Sequence, residues 1–494
     1  MLNSMKSYTL SKSKFTAGIQ CPKRLWLQVH KRELIEDNYG ESLPILNGNE
    51  VGEMARQLFP GILVEYDQGL GAALDETKKL IADPSVQIIH EATFCHDGLL
   101  VRVDILERGP DGWILTEVKG STSVKPYYIP DAAVQAWVLQ GCGLKLESVH
   151  LMYVNNQFIY EGDGDYKGLL VAEDVGEQVN ALLDSIEGQK ASFVAMLNEA
   201  EPAIEMGSHC YEPYECEFCL YCQPDNLPEY PVTGLPNLRE PLKSELGSRY
   251  NDIRDIPEAE LNNANHLRVW RATCAGKEEI DIAEATALKK LPWPRYYLDF
   301  ETIGLAVPRW KGARPYAQVP FQWSCHIHSK KGKLKHVEFL DVSGGDPRRA
   351  CAESLVRHLG KSGVVLAYNA GFENRVIREL AALYPDLSDG LMGIHDRMQD
   401  LLPVTRRAYY HPSQKGSWSI KAVLPALVPE LSYAELDGVH HGEEAQLAWM
   451  LAAKADKTDR DKIAGQLLAY CKLDTLAMVK IVAALLRKIE EPHS

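Results

Sequence analysis

Two α/β domains joined through a proline-rich break are what this sequence predicts, and three observations carry that reading. Strand-length apolar segments alternate with longer helix-period segments in both halves. Between them QPDNLPEYPVTGLPNLREP, residues 223–241, gathers prolines and turn formers and reads as a linker. Hydrophobic residues make up 45% of the 494 and charged ones 24%, a globular balance that excludes a largely disordered or fibrous chain. The predicted division is 1–228, a linker and helical connector over 229–290, and 291–494.

The elements follow from local pattern. KFTAGIQCPKRLWLQV (14–29) has helical periodicity, and GNEVGEMARQLF (48–59) follows it as a second helix. LLVRVDIL (99–106) and GWILTEVK (112–119) alternate apolar and polar residues as half-buried strands do. DAAVQAWVLQGCG (131–143) and VGEQVNALLDSIEG (175–188) return to helical spacing. After a polar, helical connector (256–276), strands are predicted at YYLDFE (296–301), FQWSCHI (321–327), HVEFLDV (336–342) and VVLAYN (364–369). Helices are predicted at 373–383, 419–428, 444–455 and 466–489.

Net charge is −15. The acidity is concentrated in residues 1–230, with 17 Lys+Arg against 35 Asp+Glu, while 301–350 holds 9 against 4. The global charge therefore does not exclude a nucleic-acid partner, and carboxylates that bind a divalent ion invert their local sign. No apolar run approaches the ~18 residues of a membrane span. MLNSMKSYTLSKSKF has no apolar core of a secretory signal, so the expected compartment is the cytoplasm, with no membrane partner. Eleven cysteines, an odd number in a large chain, argue against a disulfide framework. Four of them, Cys210, Cys216, Cys219 and Cys222, fall within thirteen residues.

The first chemical constellation lies on the strand pair. Glu117 and Lys119 are two apart and project on one side of a strand. The turn RGPDG brings Asp104 of the preceding strand alongside them. Two converging carboxylates can hold Mg²⁺, and an adjacent ammonium can orient water and stabilise a pentavalent phosphate. The bland alternative is a hairpin with solvated charges. The pattern resembles the PD-(D/E)xK nuclease signature, in its RecB-type branch. That resemblance implies that Asp104, Glu117, Lys119 and Gln135 are catalytic, although Leu139 stands where the branch carries an aromatic. It implies an upstream metal ligand as well, for which Glu53 fits best and His90 and Glu91 stand second.

Thiolates at such density suit Zn²⁺ or an Fe–S cluster. The residues alone leave open a zinc site made of Cys210, Cys216, Cys219 and Cys222, or unligated structural thiols. RecB-type nucleases of the AddB kind carry a 4Fe–4S cluster with one cysteine ahead of the nuclease core and three behind. The resemblance thus implies Cys21, Cys210, Cys216 and Cys222 as its ligands, with Cys219 spare.

The second half carries a third pattern. Asp299 and Glu301 share one face of an apolar strand, a pair suited to two metals ~3.5–4 Å apart. Glu373 follows the turn after VVLAYN, and Tyr470 and Asp474 are i and i+4 on one helix. The set resembles the DnaQ-like DEDDy exonucleases of the RNase H fold, a mixed sheet flanked by helices. This implies Asp299, Glu301, Glu373 and Asp474 as ligands of Mg²⁺ or Mn²⁺ and Tyr470 as the residue that orients water. Glu373 departs from the family's Asp, and Asp400 is a reserve ligand. Ser419 and Lys421 resemble the element that precedes the last motif. Arg309, Lys311, Arg314, Tyr316 and Trp323 mix cations with aromatics as a nucleic-acid surface does; a solvated hairpin with buried aromatics fits the same residues. Tyr409, Tyr410 and His411 form a second, weaker candidate surface.

The chain as a whole resembles a bacterial family that joins a RecB-like, cysteine-cluster nuclease domain to a DnaQ-like exonuclease domain, over about 15–225 and 290–490. The resemblance implies a metal-dependent DNA nuclease in repair or defence, acting on single strands or duplex ends, with RNA an open alternative substrate. A helicase or another repair or defence protein is the implied protein partner. The alternative from another class is a nucleic-acid-binding or scaffold protein with one or both centres inactive.

Overall fold

The computed structural model describes residues 8–35, 42–224 and 226–490. It contains two compact units, Met1–Asp225 with Leu305–Ala317, and Asn226–Gly304 with Gln318–Ser494. Both are α/β, as the alternation of strand and helix segments predicts. Among the described residues no helix is long and apolar enough to cross a membrane.

The first unit begins with β1 (Leu10–Ser11), α1 (Lys12–Gln20), α2 (Pro22–His30) and α3 (Leu43–Leu58). Then come β2 (Ile62–Leu63), α4 (Leu70–Ala82), β3 (Ile88–His96), β4 (Leu99–Arg108), β5 (Trp113–Lys119) and α5 (Ile129–Gly141). It closes with β6 (Leu146–Val154), β7 (Leu170–Asp174), α6 (Gly176–Leu197) and α7 (Cys219–Cys222). The sheet runs β2-β3-β4-β5-β6-β7, with β1 also paired to β4. In β4 Leu99, Val101, Val103 and Leu106 are buried in the core that includes α5, whereas Ile105 packs with Val51 and Met152 and lines one cleft with Asp104. Helix α5 is buried nearly all round (Ala132, Ala133, Val134, Ala136, Val138, Leu139), and its alanines let it lie close on the sheet. Leu139, where the RecB-type branch has an aromatic, is core.

The second unit holds α8 (Leu242–Gly247), α9 (Ala264–Ala275), β8 (Glu279–Ile280), α10 (Ile282–Thr286), β9 (Arg295–Gly304), β10 (Gln318–His328) and β11 (Leu334–Leu340). It continues through α11 (Arg348–His358), β12 (Val364–Ala367), α12 (Gly371–Leu383), α13 (Ser388–His395), β13 (Met398–Asp400), α14 (Leu401–Ala408) and β14 (Tyr409–Tyr410). The last helices are α15 (Ile420–Leu427), α16 (Gly442–Ala452) and α17 (Lys457–Glu490). The main sheet is ordered β11-β10-β9-β12-β13, with β9 central, antiparallel to β10 and parallel to β12. Even-numbered Tyr296, Leu298 and Phe300 of β9 pack with α11, α12 and α13. Odd-numbered Tyr297 packs instead with α15 and α17, so the strand's period of two sends Asp299 and Glu301 to the α17 side.

Two expectations change here. The stretch 229–290 is not a free-standing connector: Val232, Leu235, Leu246, Ile253 and Val269 are buried in one core with Tyr297, Val423 and Met478. Residues Leu305–Ala317, between β9 and β10, group with the first unit, where Ala306 and Val307 pack on Val51, Ile105 and Met152.

Candidate functional site

Three places in the structure gather reactive side chains. In the first unit the β4–β5 ladder ends at Ile105↔Thr116, just before Asp104, and the β3–β4 ladder steps from His90↔Ile105 to Ala92↔Val103, with Asp104 and Glu91 between those pairs. The charges of Glu117 and Glu91 both act on Asp104. Glu91 has φ +56, a backbone conformation that costs a non-glycine residue of order 1–3 kcal/mol and concentrates at functional sites. Asp104, Glu91, Asn49, Arg56 and the glycine edge of α3 (Gly48, Gly52) line a cleft of about 260 Å³.

Glu117 is the hub. Its Oε1 accepts from Lys119 Nζ at 2.8 Å and Lys12 Nζ at 2.6 Å, and its Oε2 accepts from Gln135 Nε2 at 2.7 Å. Lys119 also donates to Asp131. Burial alone would raise the Glu117 carboxyl, but the two ammonium groups outweigh it and hold it well below its usual value. Burial and the neighbouring Glu117 charge instead push Asp104 up to about 7. Both lysines are held above their usual range, because Glu117 and Asp131 outweigh the burial that would lower them. They remain ammonium groups at neutral pH, fit for phosphate or oxyanion contact rather than as bases.

Asp104, Glu117, Lys119 and Gln135 thus come together, while Glu53 does not join them. It is exposed on α3 and bonds to Arg56 and Gln57, one residue out of phase with the face that carries Gly52. His90 is buried with both ring nitrogens against backbone carbonyls, Asp104 O at 3.1 Å and Phe59 O at 2.8 Å. Lys12 and Asp131 were missed by sequence reasoning, Lys12 because it lies 105 residues from Glu117 and reaches it only through the β1–β4 pairing.

The second acidic centre forms where β9 faces α17. Ligand atoms of Asp299, Glu301 and Cys471 all lie within 4.8 Å of one another, and the Cys471 thiol points to Asp299 Oδ2 at 3.6 Å. Asp474, one turn beyond Tyr470, accepts from Tyr433 Oη at 2.5 Å. Lys421 Nζ donates to His440 O at 2.6 Å and to Tyr470 Oη at 3.3 Å. Burial, then the charges of Asp474, Glu301 and Glu373, drive Asp299 far above the usual carboxylate range. Glu301 goes the same way through burial and Asp474. Burial lifts Asp474 to about 6, against the pull of Tyr433 and Lys421, and Glu373 to about 8. Asp400 is committed elsewhere: its Oδ1 accepts from the Asn369 and Leu402 amides and caps α14. Cys471 and Tyr433 had no motif to announce them.

Four acids with raised protonation suit a cation. One atom in each centre fits that use: Gln135 Oε1 beside Glu117, and Glu373 Oε2, are buried acceptors without a hydrogen-bond partner, available to a metal or its waters. A consequence is measurable. With carboxyl groups at about 6 (Asp474), 7 (Asp104) and 8 (Glu373), the folded chain holds protons that the unfolded chain has released. The stability they support is complete below pH ~4 and is lost as pH rises through those values. Thermal melts in chelator should fall between pH 5.5 and 8.5, and Mn²⁺ should restore more at the upper end. A metal-free melting temperature that rises across this window contradicts the assignment.

The third place is a cavity lined by Cys21, Cys210, Cys216, Cys219 and Cys222 with Lys23 and Arg24. Cys21 closes α1 just before Pro22 opens α2. Burial raises the thiol of Cys216 to about 12 and lifts those of Cys219 and Cys222 as well. At neutral pH these groups are held as thiols, and a metal or cluster bound there would take them as thiolates with release of their protons. All four expected cysteines face this cavity, and Cys219 does too, since its place on α7 turns it to the same space.

The expected nucleic-acid surface is dispersed. Trp323 is 0% exposed and sits in the core, because β10 is covered on that face by α11. Arg309 pairs with Glu50 at 2.8 Å and Tyr316 Oη donates to Gly120 O. Lys311 and Arg314 are exposed. Tyr409 and Tyr410 are fully buried as well.

Residues 296–419 match a family described as a domain of unknown function (DUF2779). The matched stretch includes Asp299, Glu301 and Glu373 and ends ahead of Tyr470 and Asp474. Comparison with curated proteins finds no match.

Proposed function

We propose that the chain is a metal-dependent nuclease that hydrolyses phosphodiester bonds of DNA, with two hydrolytic centres. The observation that carries this is the close approach of Asp299 and Glu301 at the β9–α17 face, with the charges of Glu373 and Asp474 acting on Asp299; all four carboxyl groups have raised protonation, and no lysine or arginine is bonded to them among the described residues. Acids collected in this way repel one another unless cations or protons intervene. The sheet order, with the acid-bearing strand central and antiparallel to the next, supports the RNase H-like reading.

In this centre Asp299, Glu301, Glu373 and Asp474 would hold two Mg²⁺ or Mn²⁺ ions, which supply an activated water and stabilise the leaving oxygen. Tyr470, kept protonated by burial and the surrounding acids, orients the water through its hydroxyl. Lys421 positions Tyr470. In the first centre Asp104, Glu117 and the cleft residue Glu91 offer oxygens to one metal, while Lys119 and Lys12 contact phosphate and Gln135 holds Glu117 in place. Labelled single-stranded DNA incubated with Mn²⁺ should be shortened, and chelator should prevent it. RNA of the same sequence in parallel assigns the sugar preference. Intact DNA under every metal condition would favour the binding or scaffold reading.

The cysteine cavity is assigned to a 4Fe–4S cluster held by Cys21, Cys210, Cys216 and Cys222. Cys21, ahead of the sheet, and Cys210, Cys216 and Cys222, behind it, all line this one cavity. The site would fasten the α1–α2 corner to the segment around α7. Anaerobically purified protein should contain iron, and replacing any of the four by alanine should lower soluble yield more than Cys219→Ala. Stoichiometric zinc without iron contradicts the cluster.

A further inference from the structure

The molecule offers one surface that adjoins a candidate centre and that neither motif reading used. Tyr127 and Tyr214 are 38% and 53% exposed. Tyr127 stands on the turn Pro126–Tyr128 that leads into α5, the helix of Asp131 and Gln135. Its ring meets Tyr128 at 4.7 Å and Tyr214 at 5.5 Å, both edge to face. Tyr128 is buried, and Lys119 Nζ lies 5.1 Å from its ring. The run therefore starts at the lysine of the first centre and ends on the surface. Tyr214 is fixed from behind, since Gln20 Nε2 donates to its carbonyl at 2.7 Å.

Singly exposed tyrosines are ordinary, but three in mutual contact and continuous with a phosphate-binding lysine form a track. Each edge-to-face contact covers one face of one ring at most, so the exposed rings retain a face for stacking, and nucleobases stack on such faces with little regard to sequence. The flank is acidic: Glu212 and Glu215 are exposed beside Tyr214. A duplex would bring two phosphate backbones against them. A single strand can turn its bases to the tyrosines and its phosphates to solvent, except at Lys119 and Lys12.

We propose that Tyr127 and Tyr214 are a stacking platform for the bases of single-stranded nucleic acid that flank the phosphate held at the Asp104–Glu117–Lys119 centre. The proposal rests on reading that centre as hydrolytic and adds its substrate class. The platform binds through stacking more than through ion pairs, so the salt dependence of its contribution is shallow.

The test uses the full chain with Ca²⁺ in place of Mg²⁺ and a fluorescein-labelled oligothymidylate, read by anisotropy, alongside an oligonucleotide containing 2-aminopurine. Tyr214→Ala and Tyr127→Ala should each weaken single-strand binding roughly 10-fold and abolish the 2-aminopurine quenching, whereas Tyr214→Phe keeps both. Duplex binding should not change. Single-strand binding unaltered in both alanine variants, a phenylalanine variant as weak as alanine, or an equal loss for duplex overturns the platform. Lys119→Ala in an Asp299→Ala background separates the two claims: stacking that persists while Lys119→Ala leaves the cleavage of that background unchanged supports the platform and removes the hydrolytic reading of that centre.

Discussion

In an Asp299→Ala background, replacing Lys119 by alanine lowers the remaining metal-dependent cleavage by about 10²-fold or more. Lys119 bonds both Glu117 and Asp131, and its ammonium stands with that of Lys12 beside the Glu117 carboxylate. The fold should survive, because Lys12 remains on Glu117 at 2.6 Å and the aliphatic stem of Lys119 contributes little to the core. Far-UV circular dichroism checks the fold, and gel analysis of labelled DNA checks the rate. Cleavage equal to that of the Asp299→Ala parent would mean that the first centre does not hydrolyse DNA.

Asp299→Asn should produce a two-sided signature in thermal melts. Metal-free protein becomes more stable, because one of four mutually repelling acids is neutralised, and the response to Mn²⁺ shrinks. A site saturated a hundredfold above its dissociation constant stabilises the native state by about 2.7 kcal/mol, so losing it is visible as several degrees in a domain of this size. A variant that melts lower without metal and gains as much from Mn²⁺ as the parent would mean that Asp299 is a structural acid.

What could be read from the chain beforehand divides by range. Asp299 with Glu301, Tyr470 with Asp474, and Asp104 with Glu117 were readable because strand and helix periods or a short hairpin fix which side chains share a face. The fold class was readable for the same reason. Lys12 was not, since its approach to Glu117 depends on β1 lying along β4. The choice of Glu53 over Glu91 failed on helical phase: residues 48, 52 and 56 line the cleft, and position 53 turns away. Even spacing could not choose among the trailing cysteines, because α7 turns Cys219 and Cys222 to one cavity. The basic-aromatic stretch misled because aromatics on a covered interior strand are core, as Trp323 of β10 is, while residues 305–317, between β9 and β10, pack in the first unit. Tyr433 sits between helices with no motif spacing at all, yet it hydrogen-bonds Asp474.

Whether both acidic centres hydrolyse phosphodiester bonds with bound metal is decided by following 3′- and 5′-labelled single and double strands in Mg²⁺ or Mn²⁺ with the parent chain, Lys119→Ala, Asp299→Ala and the double variant. The parent and each single variant should show metal-dependent cleavage, and the double variant should lose it. No cleavage by the parent with either metal, or a double variant as active as the parent, would contradict hydrolysis at both centres.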